Sequence, residues 1–410
     1  MATRGTDAGP VEFDPFSPTF YEDPYDTYRR LRDEAPVYRN ERYGFYALSR
    51  YDDVCAASKD WARFTSTHGV DLSTLTTRLH DPIETLIMMD PPKHDRLRAL
   101  VSRVFTPRAV AKLEPMVRRV IGDQLDAIED PTSFDAIGDF AAPFPVEVIS
   151  RMLGVPEGDR QQIRHWLDVG LAREPGQVDP SDEGITAMIE MGAYMYGLAQ
   201  AKRAHPDDDM ISHLIDCEVD TGDGVPHRLD DMEIAGFAAL IGGAGAETVT
   251  KLVGNAFLLF ARHPDQYRKV IDDPGRIPNA VEETLRILPP SQYQGRFSME
   301  DTVWHGREVP AGHPVLLLTG AALRDERAIE RPDTFDVDRP PLLSLGFGYG
   351  IHSCLGAALA RIESRIAIEE VVRRWPAFTV DEATARRVQM SNVAGFASLP
   401  VHAPPSSQPS

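Results

Sequence analysis

A single cysteine set among glycines constrains this chain more than any other stretch. Residues 347–356 read F-G-Y-G-I-H-S-C-L-G, and Gly346, Gly348, Gly350 and Gly356 surround Cys354. The run that follows, Leu355-Gly-Ala-Ala-Leu-Ala-Arg-Ile, has the composition of a helix start. The thiol is therefore expected at a helix N-terminus, where unpaired N–H groups and the positive end of the dipole favour a thiolate of lowered pKa. A thiolate is a soft ligand suited to iron. The chain has no C-x-x-C, no C-x-x-C-H for covalent haem attachment and no second cysteine close by for zinc or a cluster. One isolated thiolate fits axial ligation of a haem. The plain alternative is a glycine-rich turn around an inert buried cysteine.

Charge excludes several partners. The 410 residues carry 43 Lys and Arg against 63 Asp and Glu, a net charge of -20, so neither nucleic acid nor an anionic membrane suits the whole chain. The three cysteines, Cys55, Cys217 and Cys354, are far apart, which argues for a reducing compartment without disulfides, and Cys55 reads as packing. No apolar signal or anchor lies in the first fourteen residues, so a cytoplasmic protein is expected. Residues 1–13 should be a flexible N-terminus, 14–402 one domain, and 403–410, with three prolines, a frayed tail.

Read in order, the chain is mostly helical. A short helix through Arg29 stops at Ala35-Pro36, a small hairpin spans Val37–Arg39 and Tyr43–Ser49, and Arg50 opens another helix. Residues 64–86 show no sustained period and read as a long loop or short irregular helix. Asp90-Pro-Pro-Lys then opens a helix that puts His94 and Arg98 on one face. Amphipathic helices are expected over Val110–Ile128, Pro145–Leu153, Asp159–Leu171, Asp182–Ala204 and Asp209–Asp216.

Leu229–Arg262 predicts a central helix roughly 50 Å long. Charges at Glu247 and Lys251 interrupt its apolar run, so it reads as buried and not membrane-spanning. At its middle, Gly242-Gly-Ala-Gly-Ala-Glu-Thr weakens the helix and permits close approach of something flat. Glu247 and Thr248 are the acid and the hydroxyl of that stretch; Thr248 could also simply bond back to the carbonyl of Ala244. Prolines bracket a further helix, Pro278–Pro289, where Glu283 and Arg286 can pair at i,i+3. A small sheet is expected from Gln294 to Leu318, and Met390–Val401 suggests a last hairpin with Phe396 near its turn. The Gly-x-Gly pairs at 243–245 and 346–348 lack the third glycine of a dinucleotide fingerprint, which excludes a Rossmann reading.

The pattern F-G-x-G-x-H-x-C-x-G with x-x-L-A-R after it, together with D-P-P-x-H-x-x-x-R at 90–98, A-G-x-E-T at 244–248 and E-x-x-R at 283–286, closely resembles the cytochrome P-450 family across residues 14–402. The resemblance implies one mainly α-helical domain with a smaller β-rich portion. It implies haem b bound through Cys354, with Ala244, Phe347, Gly348 and Gly356 against the cofactor and His94, Arg98, Arg296 and His352 holding its propionates. Thr248 would hydrogen-bond dioxygen and Glu247 would help relay protons. Glu283, Arg286 and Arg339, the last in Phe335-Asp-Val-Asp-Arg, would form a structural network under the haem loop. Val249 and Ser344 depart from residues common in relatives, which leaves the water chain's details open.

The activity implied is monooxygenation of a hydrophobic small molecule by a monomer, using O2 and electrons from a ferredoxin and its NAD(P)H-dependent reductase, since no flavin or cluster motif is present. The pocket would draw on Leu86, Leu240, Ala244, Pro290, Tyr293 and Phe396, under a roof around His165, Trp166, Val169 and Leu171. A local basic patch of Arg103, Lys112 and Arg365 would receive the electron donor. A haem-thiolate sensor and a peroxide-driven oxidase are the alternatives, and neither needs the Glu247-Thr248 pair.

Overall fold

The computed structural model describes residues 9–77, 85–102, 104–220, 226–340, 342 and 345–405. Its axis is the central helix Asp231–Arg262. Asp230 caps it with a reciprocal pair: Glu233 N donates to Asp230 Oδ1 at 2.8 Å, and Asp230 N donates to Glu233 Oε2 at 3.0 Å. The helix ends at His263, because Pro264 opens the next one. From Val249 to Phe260 every residue is buried, the polar Thr250, Lys251 and Asn255 included.

Helices pack around this axis. The roof helix Arg160–Leu171, the long helix Asp182–Ala204 and Pro143–Leu153 cover one side, and the helix Ala357–Arg374 that follows the cysteine loop lies on another. The glycines at mid-helix serve part of this packing. A Cβ on Gly243 would stand 3.1 Å from Leu167 Cδ2 of the roof helix, so small residues let the two helices meet.

The smaller portion is a five-stranded sheet in the order Val37–Asn40, Phe45–Leu48, Pro314–Leu317, Gln294–Ser298, Phe64–Thr65. One pairing is parallel, Val315 with Tyr46 through Leu317 with Leu48, and the others are antiparallel. An aromatic cluster of Phe13, Phe16, Phe20, Tyr28, Phe45 and Tyr293 backs it. Phe13 is buried and Asn40 Nδ2 donates to its carbonyl at 2.8 Å, so packing begins inside the segment expected to be flexible. At the other end Ala403 N donates to Thr132 O at 3.0 Å, although the tail was expected to fray from there.

Several expectations differ from the fold. Residues 110–128 form two helices, Pro107–Ala111 and Glu114–Asp126, because Pro115 has no N–H to continue the first and is tolerated only at a helix start. Residues 64–86 supply the edge strand Phe64–Thr65 and the helix Leu72–Thr77, with 78–84 outside the described residues. Met390–Val401 does not form its own hairpin. Phe396–Ser398 pairs with Arg386–Arg387, and Pro400–His402 lies between Thr379–Val380 and Ser133–Asp135. Among the described residues no helix is long and apolar enough to cross a membrane.

Candidate functional site

The cysteine loop is held by its own backbone. Gly348 N donates to Leu345 O at 2.8 Å and Cys354 N to Phe347 O at 2.7 Å, folding the segment back on itself. Gly350 has φ +78°, and a Cβ there would lie 2.4 Å from Ser58 O, so only glycine fits. Gly356 is the N-cap of Ala357–Arg374, which places Cys354 two residues ahead of the cap.

The thiol faces a cavity of about 260 Å³ whose walls also include Leu86, Ile87, Leu240, Ala244, Thr248, Pro290, Arg98, Phe347, Gly348, His352 and Gly356. Its exposure is to this cavity, and burial raises the Cys354 thiol; the Gly356 N–H, Arg98 and Arg361 oppose that less strongly. The expectation of a lowered pKa is thus corrected: the helix end does not by itself outweigh desolvation. A coordinated metal ion would, because a thiol bound to a metal is deprotonated outright. Among the described residues no group of three or more His, Cys, Asp or Glu could hold a metal ion, so Cys354 is a lone protein donor.

Beside the loop stand two guanidiniums and two imidazoles. Arg98, on the helix Lys93–Val101, donates through Nη2 to Ser353 O at 2.5 Å, and Arg296 donates through Nη1 to Gly295 O at 2.7 Å. Among the described residues neither forms an ion pair. Burial pulls both guanidinium pKa values down, that of Arg296 to about 10. His94 and His352 pack ring against ring with centroids 4.6 Å apart. His94 Nδ1 is paired with Asp95 Oδ1 at 2.9 Å, while its Nε2 is buried without a partner. His352 Nε2 is also unpartnered, 4.0 Å from Asp90 Oδ1 and beyond hydrogen-bond reach, and burial holds this imidazole below its usual range. A buried guanidinium, a half-buried one and two orphaned imidazole nitrogens fit a ligand with two carboxylates, which is what the propionates of a haem present. The donor set and the lone thiol fit the same group.

Thr248 reaches the cavity from the central helix, and its Oγ1 donates to Ala244 O at 2.9 Å, the back-bonded arrangement. Glu247, one residue earlier, is buried, with Oε2 2.9 Å from Lys251 Nζ. Asp168 of the roof helix abuts Glu247. Its carboxyl is pushed up to about 6, first by burial and then by the Glu247 charge, against the pull of Arg164 and Lys251. Nothing local in the sequence marks Asp168, but the i,i+4 spacing of Glu247 and Lys251 was available as a signal. Glu363, on Ala357–Arg374, also lines the cavity. Burial raises its pKa well above the usual carboxylate range. Its spacing with Leu359, Ile366 and Ala367 sets it on the helix's buried stripe, which the sequence could have shown.

Under the loop, Glu283 accepts from Arg286 Nε at 2.7 Å and Nη2 at 2.8 Å, and from Arg339 Nε at 3.0 Å. The remaining guanidinium nitrogens reach the carbonyls of Leu323, Pro332, Thr334, Glu330 and Arg331.

Other sequence-predicted positions lie elsewhere. Tyr293 does not line the cavity: it points into the aromatic cluster and donates its hydroxyl to Ser391 O at 3.1 Å. Phe396 is likewise absent from the wall, buried under the guanidinium of Arg387 at 4.0 Å. Of the supposed roof, Trp166 donates to Glu190 Oε2 at 2.9 Å on the helix Asp182–Ala204, outside the lining. In the basic patch, Arg365 is neutralised by Glu114 at 2.9 Å and Glu369 at 2.6 Å, Lys112 is exposed, and Arg103 lies outside the described residues, as does Ser344 upstream of the cysteine loop.

Comparison with known proteins agrees with this geometry. The family model described as Cytochrome P450 matches residues 277–403. A protein named putative cytochrome P450 123, of Mycobacterium tuberculosis (strain ATCC 25618 / H37Rv), is 42% identical over 95% of this chain and 96% of its own length. A vitamin D(3) 25-hydroxylase of Pseudonocardia autotrophica is 36% identical over 97% of this chain and 98% of its own. A solved structure of a P450 EryK mutant in complex with erythromycin B superposes with a TM-score of 0.85 at 34% identity, covering 94% of this chain and 97% of that one.

Proposed function

The chain belongs to the cytochrome P450 family and is thus a haem-dependent monooxygenase, and we propose that it oxidises a bulky hydrophobic small molecule with electrons from a ferredoxin and its NAD(P)H-dependent reductase. The observation that carries the reading is one cavity that joins a lone thiol, a hydroxyl on the central helix and the Arg98 guanidinium, which forms no ion pair among the described residues. In this reading Cys354 ligates the iron, and His94, Arg98, Arg296 and His352 fix the propionates by charge-assisted hydrogen bonds. Bound haem supplies the redox-active iron needed to activate dioxygen.

The protein's part is positioning and proton control. Thr248 gives up its bond to Ala244 O and turns Oγ1 into the cavity, where it holds a proton for the reacting oxygen. Glu247 stands behind it as the carboxylate that relays protons from solvent. Leu86, Leu240, Ala244 and Pro290 exclude bulk water and bind apolar surface, while Ser291 and Gln294, joined at 2.9 Å, offer polar contacts on the wall. Relatives named for vitamin D(3) hydroxylation and for a complex with erythromycin B support a large, largely apolar substrate. For the donor, Lys112 remains an exposed cation, and the paired Arg365 is not expected to contribute.

The test is spectroscopic. Haem-loaded, reduced protein with carbon monoxide should show the red-shifted Soret band of thiolate ligation, and Cys354→Ser should abolish it. A folded wild-type protein without that band ends the proposal. Titration with sterols, macrolides and fatty acids, read as a spin-state change, then identifies the substrate class.

A further inference from the structure

The long helix Asp182–Ala204 packs one side against the roof helix and the central helix and leaves its other side without a partner among the described residues. Ile185, Met188 and Ile189 are exposed there at 46%, 40% and 66%, an apolar cluster on a surface where such side chains usually stand singly. Two glycines share the open side. A Cβ on Gly192 or Gly197 would meet nothing within 4 Å, although glycine weakens a helix interior relative to alanine. Packing accounts for the glycines nearby: a Cβ on Gly170 would stand 2.5 Å from Met188 Sδ, and one on Gly184 3.2 Å from Val169 O. Within the described residues no contact accounts for Gly192 and Gly197 in the same way.

At 3.6 residues per turn Ile185, Ile189, Gly192, Tyr196 and Gln200 fall on one narrow stripe. The stripe complements itself when reversed. Turned end for end about a point between Gly192 and Ala193, the middle of the helix, a second copy sets Ile189 against Tyr196, Met188 against Gly197 and Ile185 against Gln200. The smallest residues then lie at the crossing, where the two backbones come nearest. The ends match in charge as well: Asp182, which forms no ion pair among the described residues, meets Arg203, which stays 40% exposed beside its own partner Asp231 at 2.8 Å. Parallel pairing would set acid against acid. Glu183 and Glu190 beside the stripe, with a net charge of -20, exclude an anionic membrane as the occupant. We propose that two copies of the chain associate through this face, with the helices Asp182–Ala204 antiparallel about a two-fold axis near Ala193. The family resemblance implied a monomer, and the pairing proposed is independent of the monooxygenase reading. One helix face per copy is small beside the roughly 800 Å² per partner of a standard interface, so the dimer is reversible, with a dissociation constant on the order of micromolar to tens of micromolar.

Sedimentation velocity of the haem-loaded protein should shift from monomer toward dimer as its concentration rises through the micromolar range. Ile189→Glu puts a charge into the apolar contact and Gly192→Leu fills the crossing, and each should weaken the dimer about tenfold or more. In the single chain the new leucine enters open space, so the thermal midpoint of Gly192→Leu should not fall below that of wild type. Register is read by cross-linking. Protein carrying Ile185→Cys mixed with protein carrying Gln200→Cys should give a disulfide-linked dimer under mild oxidation, and neither should do so alone, because two copies of position 185 lie roughly 22 Å apart in the antiparallel pair. Wild-type protein that stays monomeric at every concentration leaves the face to a different partner and overturns the proposal. So does a dimer that both interface variants retain, which puts the contact elsewhere, or a link formed by Ile185→Cys alone, which marks parallel pairing. None of these results bears on the monooxygenase reading, which the carbon monoxide band decides.

Discussion

The brace beneath the cysteine loop and the clamp beside it are built from the same materials and end in opposite conditions. In the brace, Glu283, Arg286 and Arg339 satisfy one another, and their spare nitrogens are consumed by backbone carbonyls. In the clamp, Arg98 and Arg296 have no carboxylate among the described residues, and His94 and His352 each keep an unpartnered nitrogen. Burial separates them only in part: His94 and Arg296 are as buried as the brace, while Arg98 and His352 are partly exposed. What separates them is completeness: a finished polar network holds a fold together, and an unfinished one is shaped for a ligand.

The comparison is broken most directly at Glu283. Glu283→Ala leaves two buried guanidiniums without their carboxylate and should cost about 3–5 kcal/mol, seen as a large fall in thermal midpoint or loss of folded protein. A stable Glu283→Ala variant would show that the brace is not a structural element.

Glu363 lies between the two cases, a buried acid whose pKa is raised by desolvation. Its folded pKa is raised, so any advantage of the protonated native state is complete below the unfolded pKa and disappears as pH rises toward the folded value. Wild-type stability should therefore fall relative to Glu363→Gln by about 1.4 kcal/mol per pH unit once the pH exceeds roughly 4.3, until the native group ionises. Parallel denaturation curves at pH 4 and pH 7 would contradict this.

At the clamp, His94→Phe should leave apoprotein stability within about 1 kcal/mol of wild type or raise it, because an orphaned nitrogen is removed. Haem loss to an apoglobin trap should nonetheless become faster. A strongly destabilised apoprotein would move His94 into the brace's category. The smallest folding effect is expected for Thr248→Ala, within about 0.5 kcal/mol, since its hydroxyl bonds only back along its own helix. Here the readout is coupling of NADPH to product, which should collapse.

What the sequence disclosed depended on how local the signal was. The glycine-wrapped Cys354, the central helix and the Glu283-Arg286 spacing are carried by contiguous residues, and each is found where its pattern places it. Tyr293 and Phe396 were misplaced because a residue beside a short strand faces one side or the other by register, and register follows from partners distant in sequence. The Cys354 thiol was misjudged because burial is a property of the assembled cavity, whereas a helix end is visible in ten residues. Asp168 had no pattern at all, since its significance begins with a contact across to Glu247.

The five-stranded sheet also sets a timetable for making the protein. Phe45–Leu48 takes its parallel neighbour from Pro314–Leu317. At about 5–20 residues per second of synthesis, the N-terminal strands stand with an open edge for on the order of ten to fifty seconds before that neighbour leaves the ribosome. Cys354 emerges later still, so a nascent chain cannot complete its sheet or acquire its iron ligand until most of it has been translated. Chaperone protection of that waiting edge, and the supply of haem at the end of translation, would then govern yield more than the stability of the finished molecule.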